Sequence, residues 1–109
     1  MVGIEKGYFQ RRREAVSKLR DLARGQECQV RIPGICNFNP ETTVLAHFRL
    51  AGICGMGIKP FDLIGAWACS DCHFALDDGK SGYSREALDL MHAEGCFRTI
   101  VALHKRGLL

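Results

Sequence analysis

Six cysteines in a chain of 109 residues are the feature that most limits what this sequence can fold into. A domain of this length buries a small hydrophobic core, which a bound metal ion can reinforce. The first residues carry charges where a secretion signal would be apolar, so we expect the chain to stay in a reducing cytosol. Cytosolic cysteines bind metals or are buried more often than they form disulfides. We therefore interpret the cysteines as candidate metal ligands.

Four of these cysteines fall into two groups that can bind one ion together. Cys69 and Cys72 form a Cys-x-x-Cys pair, whose spacing lets two thiolates reach a tetrahedral ion from a tight turn. Cys28 and Cys36 supply two further thiols, and we predict a structural Zn²⁺ on all four. Cys54 is an alternative to Cys36 as the fourth ligand. Cys96 is expected to be a buried apolar thiol.

The pattern of apolar and turn-forming residues predicts a single α+β domain over residues 1–109. Helical spacing over residues 10–25 predicts a basic N-terminal helix. Residues 27–40 are rich in proline, glycine and asparagine, which predicts a turn-rich knuckle. Strands are expected at Thr42–Phe48 and Leu63–Ala68, separated by a long glycine-containing loop. A short helix with Ser70 as its N-cap and two C-terminal helices over residues 84–106, divided at Gly95, complete the prediction.

The positive charge is concentrated in the N-terminal third of the chain. The net charge is +3, but residues 1–31 alone carry eight lysines and arginines against four acidic residues. Arg11, Arg12 and Arg13 form the densest run, which suits contact with the phosphates of a nucleic acid. The alternative is an ordinary solvated helix face. No apolar stretch is long enough to span a bilayer, so we expect no membrane partner.

A second group of candidate ligands lies on the short helix after the second strand. His73 and Asp77 are four residues apart, so their side chains lie on one helix face and can bind one divalent ion. His47, near the end of the first strand, can face the same ion in a hairpin packed on that helix. The alternatives are that His47 is a core histidine and that His73 is a further zinc ligand. His92 and His104 are expected on helix surfaces, without a functional role.

The order of these motifs resembles a known class of enzymes. A strand with a histidine, a loop, a second strand, Cys-x-x-Cys-His and a helix is similar to the HNH or ββα-metal nucleases. The strings ECQVRIPGICNFNPETTVLAHFRLAGICG and KPFDLIGAWACSDCHFALD resemble more closely the small phage and prophage nucleases of the YbcO type. The resemblance implies a ββα-metal core over residues 42–78 and a zinc knuckle formed by residues 27–40 with 69–72.

The same resemblance implies roles for individual residues. His47 matches the histidine that acts as general base, and His73 and Asp77 match the metal-binding pair on the helix. Many HNH sites have a metal ligand just before the base, where this sequence has Ala46, so the ion is expected to keep more water or to find another oxygen. Asp62 is nearest in order to the asparagine of the family name. It is expected either to bond the loop backbone or His47, or to be an ordinary turn residue.

These inferences together predict a metal-dependent phosphodiesterase that acts on DNA. His47 would take a proton from water, and Arg49, two residues further and on the same face if the strand continues, would bind a phosphate. Mg²⁺ or Mn²⁺ suits such an oxygen-rich open site, and the histidine ligand also admits Zn²⁺ or Ni²⁺. The main alternative is a zinc-stabilised nucleic-acid-binding or recombination-accessory module without catalysis. A cytosolic redox protein that uses Cys69 and Cys72 is a third hypothesis.

Overall fold

The structure is a computed structural model that describes residues 18–50 and 62–109 of the chain. The predicted Arg11, Arg12 and Arg13 run and Cys54 lie outside these ranges. The described residues form a small α+β fold, as the sequence predicted. In chain order its elements are α1, helical over residues 18–22, a 3-10 turn at Pro40–Thr42, strand β1 at Val44–His47, strand β2 at Gly65–Ala68, helix α2 at Ser70–Asp78 and helix α3 at Arg85–Lys105.

Strands β1 and β2 form a two-stranded antiparallel sheet. Val44 pairs with Ala68 and His47 with Gly65, so His47 lies at the end of the ladder nearest the connecting loop. Both strands are shorter than predicted. The first begins only at Val44 because Asn39 accepts a hydrogen bond from the Glu41 amide, which caps the 3-10 turn and delays the extended backbone. The predicted order of the two strands, with the short helix after the second one, is confirmed.

Helices cover both faces of the sheet, so β2 is buried along its whole length. On one face, Ala46 and Ala66 pack with Val30 and Ile32 of the turn-rich segment and with residues of α2 and α3. On the other face, Trp67 packs with Leu19 and Ala23, which closes α1 and its following turn onto the sheet, and with Leu103 of α3. No helix of residues 18–50 and 62–109 is long and apolar enough to cross a membrane.

The N-terminus of α2 differs from the sequence prediction by one residue. Cys69, rather than Ser70, is the N-cap, and its sulfur accepts a hydrogen bond from the Cys72 amide at 3.4 Å. Cys69 ends the extended backbone of β2, so the first helical residue is already Ser70. The cap therefore falls on a candidate metal ligand. At the other end, Gly79 adopts a left-handed conformation with φ of 69° and ends the helix.

The prediction of two C-terminal helices is wrong, because α3 is continuous from Arg85 to Lys105. Ser84 caps its start as expected, but Gly95 lies in its middle and is buried. A Cβ atom at Gly95 would lie 2.9 Å from Val30 Cγ2 and 3.2 Å from both Ala66 Cβ and Val30 Cα. Glycine is present because α3 approaches the sheet and the turn-rich segment closely, and it does not end the helix.

This close approach predicts the sign of one substitution. Alanine usually stabilises a helix interior by about 1 kcal/mol relative to glycine. At Gly95 the added methyl group must displace the stiff Val30 side chain and its backbone, and overpacking of this kind costs about 1–3 kcal/mol. We expect Gly95→Ala to lower the free energy of unfolding by about 1 kcal/mol, measured by urea denaturation. Exposed Glu94→Ala is the control, and a stabilised Gly95→Ala would contradict the packing argument.

Candidate functional site

The four cysteines predicted to bind zinc lie together in the fold. The sulfur atoms of Cys28, Cys36, Cys69 and Cys72 all lie within 4.8 Å of one another, and the sulfurs of Cys36 and Cys69 are 3.8 Å apart. Four ligands at the usual Zn–S distance of about 2.3 Å in a tetrahedron are also separated by about 3.8 Å. The arrangement can therefore hold a metal ion such as zinc without rebuilding the backbone.

The backbone around the cluster directs amide hydrogens at the sulfurs. Arg31 adopts a left-handed conformation, with φ of 52°, that is uncommon for this residue type, and its amide lies 3.4 Å from Cys28 Sγ. The Ile32 amide donates to Cys72 Sγ at 3.4 Å. Together with the Cys69 cap of α2, these bonds stabilise negative charge on the sulfurs. Such outer contacts are typical of metal sites.

The thiols of the cluster also change one another's acidity. A hydrogen bond from the Cys72 thiol lowers the pKa of Cys28 to about 4, and the same interaction raises the pKa of Cys72. Burial raises the pKa of Cys36 to about 11. One thiolate can form readily, whereas a second anion beside it is disfavoured unless a cation balances the charge. Cys96 lies apart from this cluster, and burial raises the pKa of its thiol to about 11, in agreement with the apolar role predicted for it.

Removal of one ligand should therefore remove the metal and the fold together. We expect Cys69→Ser to lose about one equivalent of zinc, the content predicted for a four-ligand site, and to unfold, because metal binding to such sites is coupled to folding. Serine keeps the helix cap, so the variant isolates the loss of ligation. Elemental analysis and circular dichroism are the measurements, with Cys96→Ala as the matched control. A folded wild-type protein without bound metal would contradict this expectation.

The second part of the site is a hydrogen-bonded pair at the end of β1. His47 Nε2 lies 2.6 Å from Asp62 Oδ1, and the same oxygen accepts a hydrogen bond from Arg20 Nε at 3.0 Å. Asp62 is only 7% exposed, whereas Arg20 reaches solvent. Of the two partners considered for Asp62, the structure selects His47. The carboxylate restrains the histidine ring, and Arg20 restrains the carboxylate.

Arg20 was not identified from the sequence. It lies on α1, 42 residues before Asp62, and nothing in the helical pattern distinguishes it from its charged neighbours. The structure alone shows the contact, which joins the N-terminal helix to the histidine on β1.

His47 and Asp77 border the same open cleft, which has a volume of about 250 Å³. Arg49 also borders it, although β1 ends at His47 and Arg49 therefore lies beyond the strand on which the prediction placed it. The lining residues come from the end of β1, from α2 and from the first turns of α3: His47, Phe48, Arg49, Leu76, Asp77, Arg85, Asp89 and His92. The structure therefore brings three of the predicted site residues to one cavity.

The pair on α2 that is predicted to bind a catalytic ion is exposed to solvent and supplies two ligands. His73 Nε2 lies 3.7 Å from Asp77 Oδ2, and both side chains are about half exposed. Within residues 18–50 and 62–109, the four cysteines are the only group of three or more potential ligands within 4.8 Å of one another. An ion on His73 and Asp77 would therefore keep several positions for water or substrate, which is the arrangement expected of a catalytic rather than a structural site.

His92 corrects the sequence prediction, because it is buried and forms part of the cleft, whereas His104 is exposed as expected. The Nε2 atom of His92 donates to the Ala46 carbonyl at 2.8 Å, and the His92 ring centroid lies 5.0 Å from that of Phe48. His92 therefore contacts the residues on either side of His47.

The burial of His92 predicts how stability changes with pH. Burial lowers the pKa of His92 below its ordinary value of 6.5, although Asp77 and Asp89 partly oppose this shift and His73 adds to it. Below pH 6.5 the unfolded chain therefore binds a proton before the folded chain does, so acidification should reduce the free energy of unfolding. The contribution of His92 to this loss of unfolding free energy can reach about 1.4 kcal/mol per pH unit.

The measurement is urea denaturation above and below pH 6.5 for the wild-type chain and for His92→Gln. Glutamine keeps an N–H donor for the Ala46 carbonyl and does not titrate. We expect the variant to lose less stability on acidification than the wild type. Parallel pH profiles would show that His92 takes up its proton equally in both states.

The fold and site define a small α+β protein with a cluster of four thiols that could hold a metal ion and with a separate cleft lined by two histidines. Comparison with known proteins gives the relationship directly. The chain belongs to the family described as "Putative nuclease YbcO", whose sequence model matches residues 17–108. The resemblance to YbcO-type proteins is thereby confirmed.

Individual relatives support the same assignment. The protein named "Putative nuclease YbcO" from Escherichia coli strain K12 is 51% identical over 98 residues, which cover 86% of this chain and 98% of the relative. A protein named "Putative nuclease ybcO" from Enterobacteria phage 82 matches with the same values. The solved structure titled as that of a putative bacteriophage protein from Escherichia coli K-12 is 46% identical, has a TM-score of 0.70, and is matched over all of its length and 83% of this chain.

Proposed function

We propose that this protein is a metal-dependent endonuclease of the HNH or ββα-metal type that hydrolyses phosphodiester bonds in DNA. The family and its phage relative, both named as nucleases, support the reaction class. The element order β1, β2, α2, with a histidine on the first strand and a histidine and an aspartate on the helix, supports the type. A single domain over residues 1–109 would carry the activity.

The contact between His47 and Asp62 is the observation that carries this proposal. A carboxylate oxygen accepts hydrogen bonds, so Nε2 of His47 carries a proton, and Nδ1 is the nitrogen that has a lone pair when the ring is neutral. A histidine fixed in this tautomer at the edge of a cleft is suited to act as a general base. Asp62 would act through His47 and is therefore a positioning residue. Arg20 would stabilise Asp62 through the same oxygen, Oδ1, that His47 contacts.

The chain's own groups account for the steps of hydrolysis. His47 would accept a proton from a water molecule in the cleft as the water oxygen attacks phosphorus. The bond from phosphorus to the departing 3′ oxygen then breaks, and that oxygen takes up a proton from solvent. Arg49 would bind a non-bridging phosphate oxygen and hold the backbone against His47.

Metal ions would have two separate roles. Zn²⁺ on the four cysteines would hold the turn-rich segment against the start of α2, as a structural site. His73 and Asp77 would hold a catalytic Mg²⁺ or Mn²⁺, with Zn²⁺ or Ni²⁺ also compatible with the histidine. A divalent cation there supplies charge stabilisation to the phosphate during hydrolysis.

The proposed substrate and location follow from charge and from the relatives. The basic N-terminal segment, including Arg11, Arg12 and Arg13, would contact DNA phosphates. We place the protein in the bacterial cytoplasm, where phage and host DNA are accessible to it.

A plasmid-nicking assay tests the proposal. With Mg²⁺ or Mn²⁺, the wild-type protein should convert supercoiled DNA to the open-circular or linear form, and chelation should stop the reaction. We expect His47→Ala to be slower by roughly 10²–10⁴-fold, the usual contribution of a general base. His104→Ala is the matched control, because this exposed histidine does not line the cleft and its hydrogen bond is to the Leu109 carbonyl. Equal loss in both variants would contradict the role of His47.

Calorimetric titration with Mn²⁺ separates the base from the metal ligands. His47→Ala should keep the wild-type affinity for Mn²⁺, whereas His73→Ala and Asp77→Ala should lose it. A loss in His47→Ala equal to that of His73→Ala would make His47 a ligand. DNA binding by the wild type without nicking under any of these ions would favour the non-catalytic binding module.

A further inference from the structure

Arg85 is the first residue of α3 and borders the cleft that contains His47 and Asp77. Two of its nitrogen atoms are already engaged. Nη1 donates to the Leu76 carbonyl at 2.9 Å, and Nε donates to Asp89 Oδ1 at 3.1 Å. The first contact fixes the guanidinium to the last turns of α2, and the second fixes it to the next turn of α3. The side chain therefore holds one orientation relative to the helix that carries Asp77.

The remaining nitrogen of this guanidinium is available for a ligand. Nη2 has no hydrogen-bond partner among residues 18–50 and 62–109, and the side chain is 53% exposed. An arginine that is already oriented loses less conformational entropy when it binds an anion. Its planar donor group matches the oxygen atoms of a phosphate.

The charges that border the cleft add a second argument. Arg49 and Arg85 supply two positive charges, and Asp77 and Asp89 supply two negative charges. The carboxylate of Asp89 already pairs with Arg85 at 3.1 Å, so it opposes an anion in the cleft less than an unpaired carboxylate would. The two arginines come from different elements, since Arg49 follows β1 and Arg85 begins α3.

We infer that Arg85 is a binding residue for a backbone phosphodiester group of the nucleic acid, held in the cleft together with Arg49. This inference rests on the proposed function for its ligand, a phosphodiester. The contacts of Arg85 with Leu76 and Asp89 orient its free donors. The alternative role is purely structural, in which Arg85 only joins the end of α2 to the start of α3.

Salt-dependent binding distinguishes these roles without requiring catalysis. Binding of a short fluorescein-labelled DNA duplex is measured by anisotropy at a series of salt concentrations, with Ca²⁺ as the divalent ion. Loss of one duplex-phosphate contact should reduce the slope of log affinity against log salt by about 0.9. We expect this reduction in Arg85→Ala. If Arg85→Ala does not fold, Arg85→Gln provides the same test, because it keeps an amide donor for Leu76 and lacks the charge.

Two further variants serve as controls. Asp89→Ala removes the anchor from Nε but keeps the positive charge, so the salt slope should not fall. Arg98→Ala also removes one positive charge. Arg98 donates two hydrogen bonds to the Gln29 carbonyl, and it borders a separate groove that shares no residue with the cleft. Its slope should remain that of the wild type. Equal slope losses in Arg85→Ala and Arg98→Ala, or in Arg85→Ala and Asp89→Ala, would overturn the inference.

Nicking measured in parallel separates this inference from the proposed function. If the wild type nicks DNA and Arg85→Ala keeps the full salt slope, the phosphate contact is wrong and the nuclease proposal stands. If the wild type binds without nicking and Arg85→Ala loses slope, the contact stands and the nuclease proposal fails. A wild-type protein that does not bind the duplex would overturn the inference about Arg85.

Discussion

The convergence of four thiols on one point is the constraint on which the rest of this structure depends. It joins the turn-rich segment, which has no regular secondary structure from Cys28 to Cys36, to the first turn of α2. Since α2 follows β2 after a single residue, the same cluster also sets the direction in which the helix leaves the sheet. That direction places Asp77 beside the cleft at the end of β1. A site that binds no substrate in our proposal therefore determines the geometry of the one that does.

Small residues determine how closely α3, which lines one side of the cleft, approaches the sheet. β2 contains glycine and alanine at three of its four positions, and Gly95 removes the last obstacle between α3 and the sheet. The resulting close contact carries His92 to the Ala46 carbonyl and the first turn of α3 to the mouth of the cleft. The packing of the core and the placement of polar groups are thus one arrangement, because a bulkier residue at Gly95 would move both.

The features that could be predicted from sequence are those encoded by short spacing. Cys-x-x-Cys, the His73 and Asp77 pair, and the order of strands and helices depend on residues that are near one another in the chain. The contacts from Arg20 to Asp62 and from His92 to Ala46 span 42 and 46 residues, and no periodic pattern reports such a pairing. Gly95 was misinterpreted for the same reason, because the rule that glycine ends a helix takes no account of the Val30 and Ala66 side chains. The chemical role of the cleft remains a proposal.

The contact between Arg20 and Asp62 bears on when the cleft can form during synthesis of the chain. The groups around the cleft come from α1, β1, α2 and α3, so they are distributed over nearly the whole order of translation. When only α1 and β1 of a nascent chain have left the ribosome, the Asp62 carboxylate and the later helices that line the cleft are still absent. A product that ends before His92 lacks part of the cleft lining, whatever metal it binds. For an enzyme proposed to cut DNA, this distribution would keep unfinished chains harmless to the cell that makes them.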